Sequence, residues 1–124
     1  MALKILNFNA YRAANEDRIR HFSDLIRLYK PSICTIQEIH IGIAARLFGD
    51  DFHVMVNIEQ ASKDQIGICT LVHKSLKIRD YVLSSNGRII GVWVGDFKLF
   101  NVYPKSGAQS RNQRDLFFQS RPFH

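Results

Sequence analysis

Residues 3–38, LKILNFNAYRAANEDRIRHFSDLIRLYKPSICTIQE, decide the fold. Leu3 to Phe8 reads as a short buried strand, closed by the polar pair Asn7 and Asn9 around Phe8. From Asn15 the period changes: Ile19, Phe22, Leu25, Ile26 and Tyr29 recur at three-to-four-residue spacing, the apolar stripe of an amphipathic helix. The helix ends agree with this. Asn15 suits an N-cap, Glu16 and Asp17 fall in the first turn, Arg27 and Lys30 in the last, and Pro31 stops the helix. Ser32 to Gln37 is then a second strand, which makes a β-α-β unit with parallel strands and a right-handed crossover. Parallel strands end on one side of their sheet, so Asn7 and Glu38 are expected close together at the rim where open α/β sheets place their ligands.

Outward from this unit, Ile41 to Phe48 predicts a short helix and the pattern then turns to β. Phe52–Ile58, Ile66–His73, Leu76–Leu83, Ile89–Val94 and Phe97–Tyr103 are short runs rich in Val, Ile, Leu and Phe. Gly95-Asp96 between the last two suits a tight hairpin with glycine at its first central position. Gln109 to Gln119, carrying Leu116, Phe117 and Phe118, reads as a final helix. There is no internal repeat, low-complexity tract or linker.

With 124 residues, 46% of them hydrophobic and 23% charged, the composition is that of one soluble globular domain and excludes a multidomain machine. Cys34 and Cys69 each lie inside an apolar run, as buried free thiols do, which predicts a reducing intracellular compartment, nuclear or cytoplasmic. No signal-peptide pattern and no run near the ~18 apolar residues of a membrane span is present, so no membrane role is expected. Lys and Arg total 17 against 11 acidic residues, and the net charge of +6 favours polyanionic partners such as nucleic acid. The positive excess sits near the C-terminal end, at Lys105, Arg111, Arg114 and Arg121, whereas Asp50, Asp51 and Glu59 form an acidic stretch.

Glu38 follows an apolar strand, where a carboxylate is tolerated when solvated at the rim, paired, or bound to a cation. It therefore reads either as an ordinary strand-end glutamate or as the ligand of a hard divalent ion, which one or two carboxylates commonly hold with water and phosphate oxygens. Asn7 and Asn9 admit a similar pair of readings, as local caps or as groups that orient a phosphate or a water. Tyr103 closes a strand just before Pro104-Lys105. Its phenol can donate to a phosphate oxygen beside the Lys105 charge, or its ring can simply pack at a sheet edge. His40 is placed to assist Glu38 or to serve as a packing residue. The histidines show no metal-ligand spacing, and no glycine-rich phosphate loop or Gly-x-Ser-x-Gly elbow occurs. Gly95-Asp96-Phe97 imitates an acidic nuclease motif, but its place between two strands assigns it to a turn.

The order of the pieces resembles a family. Leu6-Asn7-Phe8-Asn9, Ile36-Gln37-Glu38-Ile39-His40, Gly67-Ile68-Cys69-Thr70-Leu71, Gly87-Arg88-Ile89-Ile90 and Asn101-Val102-Tyr103 resemble the N-terminal half of the endonuclease/exonuclease/phosphatase (DNase I-like) superfamily. The Gln-Glu-x-His form and the Asn-Val-Tyr ending look most like endonuclease domains of non-LTR (LINE-type) retrotransposons. The resemblance implies the first half of a two-sheet α/β sandwich, with residues 1–124 a partial domain. It further implies a phosphodiester-hydrolysing DNA endonuclease with Asn7, Glu38 and Tyr103 as active-site residues. Glu38 would be the ligand for Mg2+ or Mn2+, and Asn9, Lys105, Arg111 and Arg114 would bind nucleic acid.

The family's Gly-Asp-Phe-Asn and Ser-Asp-His motifs do not follow Tyr103, and Tyr103 runs directly into Pro104, where the family has an intervening residue. Groups that act as a unit cannot be removed without losing most of the rate, so weak or absent activity in isolation is expected. An apolar face of the first sheet is expected to lie open to the absent half or to self-association. Two other functions stay in view: a non-catalytic nucleic-acid-binding or self-associating remnant, and a phosphatase or phosphodiesterase acting on a small phosphorylated molecule.

Overall fold

The apolar stripe forms helix α1 (Glu16–Tyr29) where its spacing places it, burying Ile19 and Ile26. The Asn15 side chain accepts from the Arg18 amide at 2.9 Å, and Glu16 and Asp17 sit against the positive end of the helix dipole. At the other end Lys30 adopts a left-handed cap (φ 50°) and its N–H donates to the Ile26 carbonyl at 2.8 Å, just before Pro31. The computed structural model describes residues 3–104. The helix expected over Gln109–Gln119, and the candidate residues Lys105, Arg111 and Arg114, lie outside the described residues.

Around α1 the chain forms β1 (Ile5–Ala13) and β2 (Ile33–His40), paired in parallel as expected. It continues through α2 (Ile41–Phe48), β3 (Phe52–Asn57), β4 (Ile66–His73), β5 (Ile78–Leu83), β6 (Ile89–Val94) and β7 (Phe97–Val102). The first sheet has the order β1-β2-β4-β3 and the second β5-β6-β7; apart from the β1–β2 pair, neighbours are antiparallel. Gly95 takes φ +56° as the first central residue of the β6–β7 hairpin, the conformation expected of Gly95-Asp96. β1 runs on to Ala13, past the end expected at Phe8. Tyr11 and Arg12 adopt left-handed φ (53° and 61°), the Asn9 Oδ1 accepts the Tyr11 amide at 2.7 Å, and pairing resumes at Ala13 opposite Ile39.

The helices cover one face of the first sheet, where Ile19 and Ile26 pack with Cys34, Ile36, Cys69 and Leu71. Ile33, Met55, Ile68 and Val72 point the other way and meet Ile90, Val92 and Val94 of the second sheet. Full burial of each such Ile, Leu or Val contributes about 1.5–3 kcal/mol. This corrects the expectation of an open apolar face. β5–β7 fold back over it, because their own alternating apolar residues need the same cover. The cover stops short of β1, whose Ile5 is half-exposed, and the side chains there turn polar.

Candidate active site

Along β2 successive side chains alternate between the two faces: Cys34 and Ile36 enter the helix-side core, while Ile33 faces the second sheet. Continued alternation would send Glu38 into the helix-side core. A β-bulge prevents this. Gln37 pairs with Ile68 and Ile39 with Gly67, leaving Glu38 as the extra residue, with φ +59°. Ile39 takes the core position and is fully buried, while the carboxylate is turned out at the strand end. A non-glycine residue at such a φ is strained by about 1 kcal/mol or more, a cost found preferentially at functional sites.

Two of the expected site residues meet this carboxylate. Asn9 Nδ2 donates to Glu38 Oε2 at 2.6 Å, and because Asn9 Oδ1 is occupied by the Tyr11 amide, the amide is held with its donor toward Glu38. Tyr103, immediately beyond β7, hydrogen-bonds Glu38 through its phenol. Partial burial and the Glu38 carboxylate hold the phenol above its ordinary pKa, with Arg88 and Arg12 opposing the shift. It thus stays a neutral donor at physiological pH.

Asn7 sits deeper than the rim expected for it, opposite Thr35 and two pairs before Asn9–Gln37. Its Oδ1 accepts from Thr35 Oγ1 at 2.7 Å and from Gln37 Nε2 at 2.8 Å. Gln37 Nε2 donates also to Asn101 Oδ1 at 2.9 Å. Asn101, which the sequence reading gave no role, is buried, and its Nδ2 reaches the carbonyls of Cys69 (3.0 Å) and Ile36 (3.3 Å) and Thr70 Oγ1 (3.2 Å). A polar ladder from β7 through β2 to β1 therefore ties the two sheets together beside the site. The signal for it was an asparagine at an inward position of an apolar strand, two residues before Tyr103.

Glu38 and Tyr103 open onto a cavity of about 360 Å³ whose other walls include Arg12, Lys63 and Arg88. Arg88 forms an ion pair with Glu59, and Arg12 with Asp64. Arg12 and Asp64 were not picked out from sequence, and Arg88 and Glu59 only as members of the Gly87–Ile90 motif and of an acidic stretch, since a single charge carries no spacing signal. His40 does not face Glu38: it is the N-cap of α2, its Nδ1 accepting from the Ile43 amide at 3.2 Å. Among the described residues no three His, Cys, Asp or Glu side chains cluster as a metal site. The donor set is one carboxylate at the mouth of an open cavity, with no thiolate or imidazole lining it among the described residues, which fits a hard ion of the magnesium type completed by water and phosphate rather than a zinc cage.

No protein-family model matches the chain, and no curated protein matches it in sequence. Solved structures do match. Truncated TDP2 from Caenorhabditis elegans is 17% identical with a TM-score of 0.73, covering 95% of this chain and 52% of its own. A 3′ phosphatase from Neisseria, NExo, bound to a product DNA hairpin, is 18% identical with a TM-score of 0.70, covering 95% and 49%. The endonuclease domain of TRAS1, a telomere-specific non-LTR retrotransposon, is 15% identical with a TM-score of 0.57, covering 97% and 53%. The chain shares the two-sheet α/β fold of these structures, as expected, and spans about half the length of each.

Proposed function

We propose that this chain carries the cation- and phosphate-holding side of a phosphodiester hydrolase acting on DNA, of the kind encoded by non-LTR retrotransposons. The observation that carries the reading is the bulge that ejects Glu38 from the core and delivers it to Asn9 and Tyr103 at the mouth of an arginine-flanked cavity. A DNA-bound phosphatase and a retrotransposon endonuclease domain among the similar structures support DNA as the substrate. The Gln37-Glu38-Ile39-His40 and Asn101-Val102-Tyr103 sequences support the retrotransposon assignment.

Glu38 would hold Mg2+ or Mn2+, which supplies charge neutralisation at the phosphate oxygens. Asn9 fixes the rotamer of that carboxylate. Tyr103 would turn its phenolic O–H from Glu38 to a phosphate oxygen, and its raised pKa keeps the phenol protonated at neutral pH. The Asn7–Gln37–Asn101 ladder sets the spacing between the strand that carries Glu38 and the one that leads to Tyr103.

The test is incubation of the purified chain with supercoiled plasmid and magnesium. Nicking is expected, slow because the similar structures are about twice as long, and it is expected to vanish in Glu38→Gln. Salt-sensitive DNA binding without nicking would replace the enzyme by the binding-only alternative. The likeness to NExo favours a second substrate within the same site, a terminal phosphate. Release of inorganic phosphate from a 3′-phosphorylated oligonucleotide, with no nicking, would select it.

A further inference from the structure

The two arginines beside the site are both occupied, and by carboxylates of one loop. Residues 58–65 join β3 to β4. Glu59, at the start of this loop, ion-pairs with Arg88 just before β6, and Asp64, near its end, ion-pairs with Arg12 in the β1 bulge. The loop thus spans from the second sheet to the first, directly across the cavity that holds Glu38 and Tyr103.

Arg88 is held rigidly. The Arg88 side chain is only 13% exposed, its guanidinium also donates to the Tyr103 carbonyl at 3.3 Å, and the Tyr103 amide donates back to the Arg88 carbonyl at 2.9 Å. Gly87 precedes it at φ +78°, where a Cβ would lie 2.3 Å from the backbone of Ile58 and Glu59, so the turn and the loop are in direct backbone contact. In the Arg88–Glu59 pair the carboxylate is the looser member, Glu59 being about half-exposed. In the other pair it is the arginine, since Arg12 is exposed while Asp64 also accepts from Ser62 Oγ at 2.8 Å and the Ile66 amide at 3.1 Å. Exposed ion pairs exchange readily with water. A guanidinium binds a carboxylate and a phosphate through the same forked geometry, so one can replace the other on the same arginine.

We propose that Glu59 and Asp64 are placeholders: in the free protein they occupy the faces of Arg88 and Arg12 that two backbone phosphates of a DNA strand take on binding, making loop 58–65 a built-in competitor of the strand. This rests on the reading of the Glu38 site as one for phosphodiesters. Arg88 and Arg12 line the same cavity as Glu38 and Tyr103, and both lower the pKa of the Tyr103 phenol, so they lie within electrostatic reach of the group that would touch the central phosphate.

Fluorescence anisotropy of a labelled DNA duplex, measured in EDTA across a salt series, tests this without requiring cleavage. Glu59→Gln and Asp64→Asn keep the acceptor oxygens of the loop and remove only its charges. The double variant is expected to bind about tenfold more tightly than the wild type at low salt, with a steeper salt dependence. The charge-matched pair Asp50→Asn/Asp51→Asn, in the turn between α2 and β3, is expected to change affinity less than twofold. Adding Arg12→Gln, at an exposed position whose loss leaves the fold intact, should cancel most of the Asp64→Asn gain, and Arg88→Gln should cancel that of Glu59→Gln; thermal melts confirm folding in each case. Equal tightening by the control pair, or tightening that survives removal of the arginines, overturns the proposal. Nicking that depends on Glu38 alongside unchanged binding by the loop variants overturns the proposal and leaves the proposed function standing. Absence of DNA binding by every form overturns both.

Discussion

The two faces of β2 do different work, although the same eight residues build both. Toward the helices the strand presents Cys34, Ile36 and Ile39, all fully buried among other apolar side chains. Toward the second sheet it begins with Ile33 and then changes character to Thr35 and Gln37, which meet Asn7 and Asn101. One face is held by area removed from water, the other by a chain of hydrogen bonds whose members satisfy one another. The bulge at Glu38 keeps the two kinds of face separate, exchanging a carboxylate for Ile39 in the core.

The contrast can be broken by substitutions on either side. Ile36→Ala on the helix side leaves a cavity in a packed layer and is expected to cost about 2–5 kcal/mol, read by chemical denaturation. Asn101→Leu strips partners from the carbonyls of Ile36 and Cys69 and from Gln37, and is expected to cost about 1–3 kcal/mol. It should also loosen the placement of Tyr103 relative to Glu38, so binding at the site falls further than the stability loss explains. An Asn101→Leu protein as stable as the wild type would mean that the polar ladder is incidental.

The helix side also carries a pH dependence. Burial pushes the Cys34 thiol up to about 12 and the Cys69 thiol higher still, the latter also through the neighbouring Cys34. In the unfolded chain both titrate near ~8.5. The unfolded state therefore releases protons first as pH rises. Stability is full below about pH 8.5 and falls above it by about 1.4 kcal/mol per pH unit for each thiol, until the folded-state pKa is passed. Denaturation curves between pH 8 and 10.5 should show this slope, and Cys34→Ala should halve it. A smaller effect of opposite sign is expected at the bulge. Glu38→Gly relieves the left-handed strain and should raise stability by roughly 1 kcal/mol while abolishing cation binding, a gain in stability at the expense of the site.

Much of this was legible in the residues. The stripe from Ile19 to Tyr29, with Asn15 before it and Pro31 after, located α1 nearly to the residue, and Ile66–His73 and Ile89–Val94 match β4 and β6. These segments are decided by local periodicity and capping, which a sequence displays directly. The bulges were not legible. Whether Glu38 or Ile39 enters the core depends on the register against Gly67 and Ile68, far along the chain, and β1 continued beyond Phe8 because Asn9 could hold the turn at Tyr11. Asn9, rather than Asn7, consequently touches Glu38. The Arg88–Glu59 and Arg12–Asp64 pairs were invisible for the same reason, since the first joins residues brought together by the stacking of the two sheets and the second a residue of β1 and one of the β3–β4 loop, 52 positions apart.

Paramagnetic Mn2+ added to the isotopically labelled chain tests most directly whether the bulge makes Glu38 the cation ligand. Selective broadening of the amide resonances of Asn9, Glu38, Ile39 and Tyr103, absent in a folded Glu38→Gln variant, is the predicted result. Broadening centred on Asp50 and Asp51, or broadening near Glu38 that persists unchanged in Glu38→Gln, would contradict it.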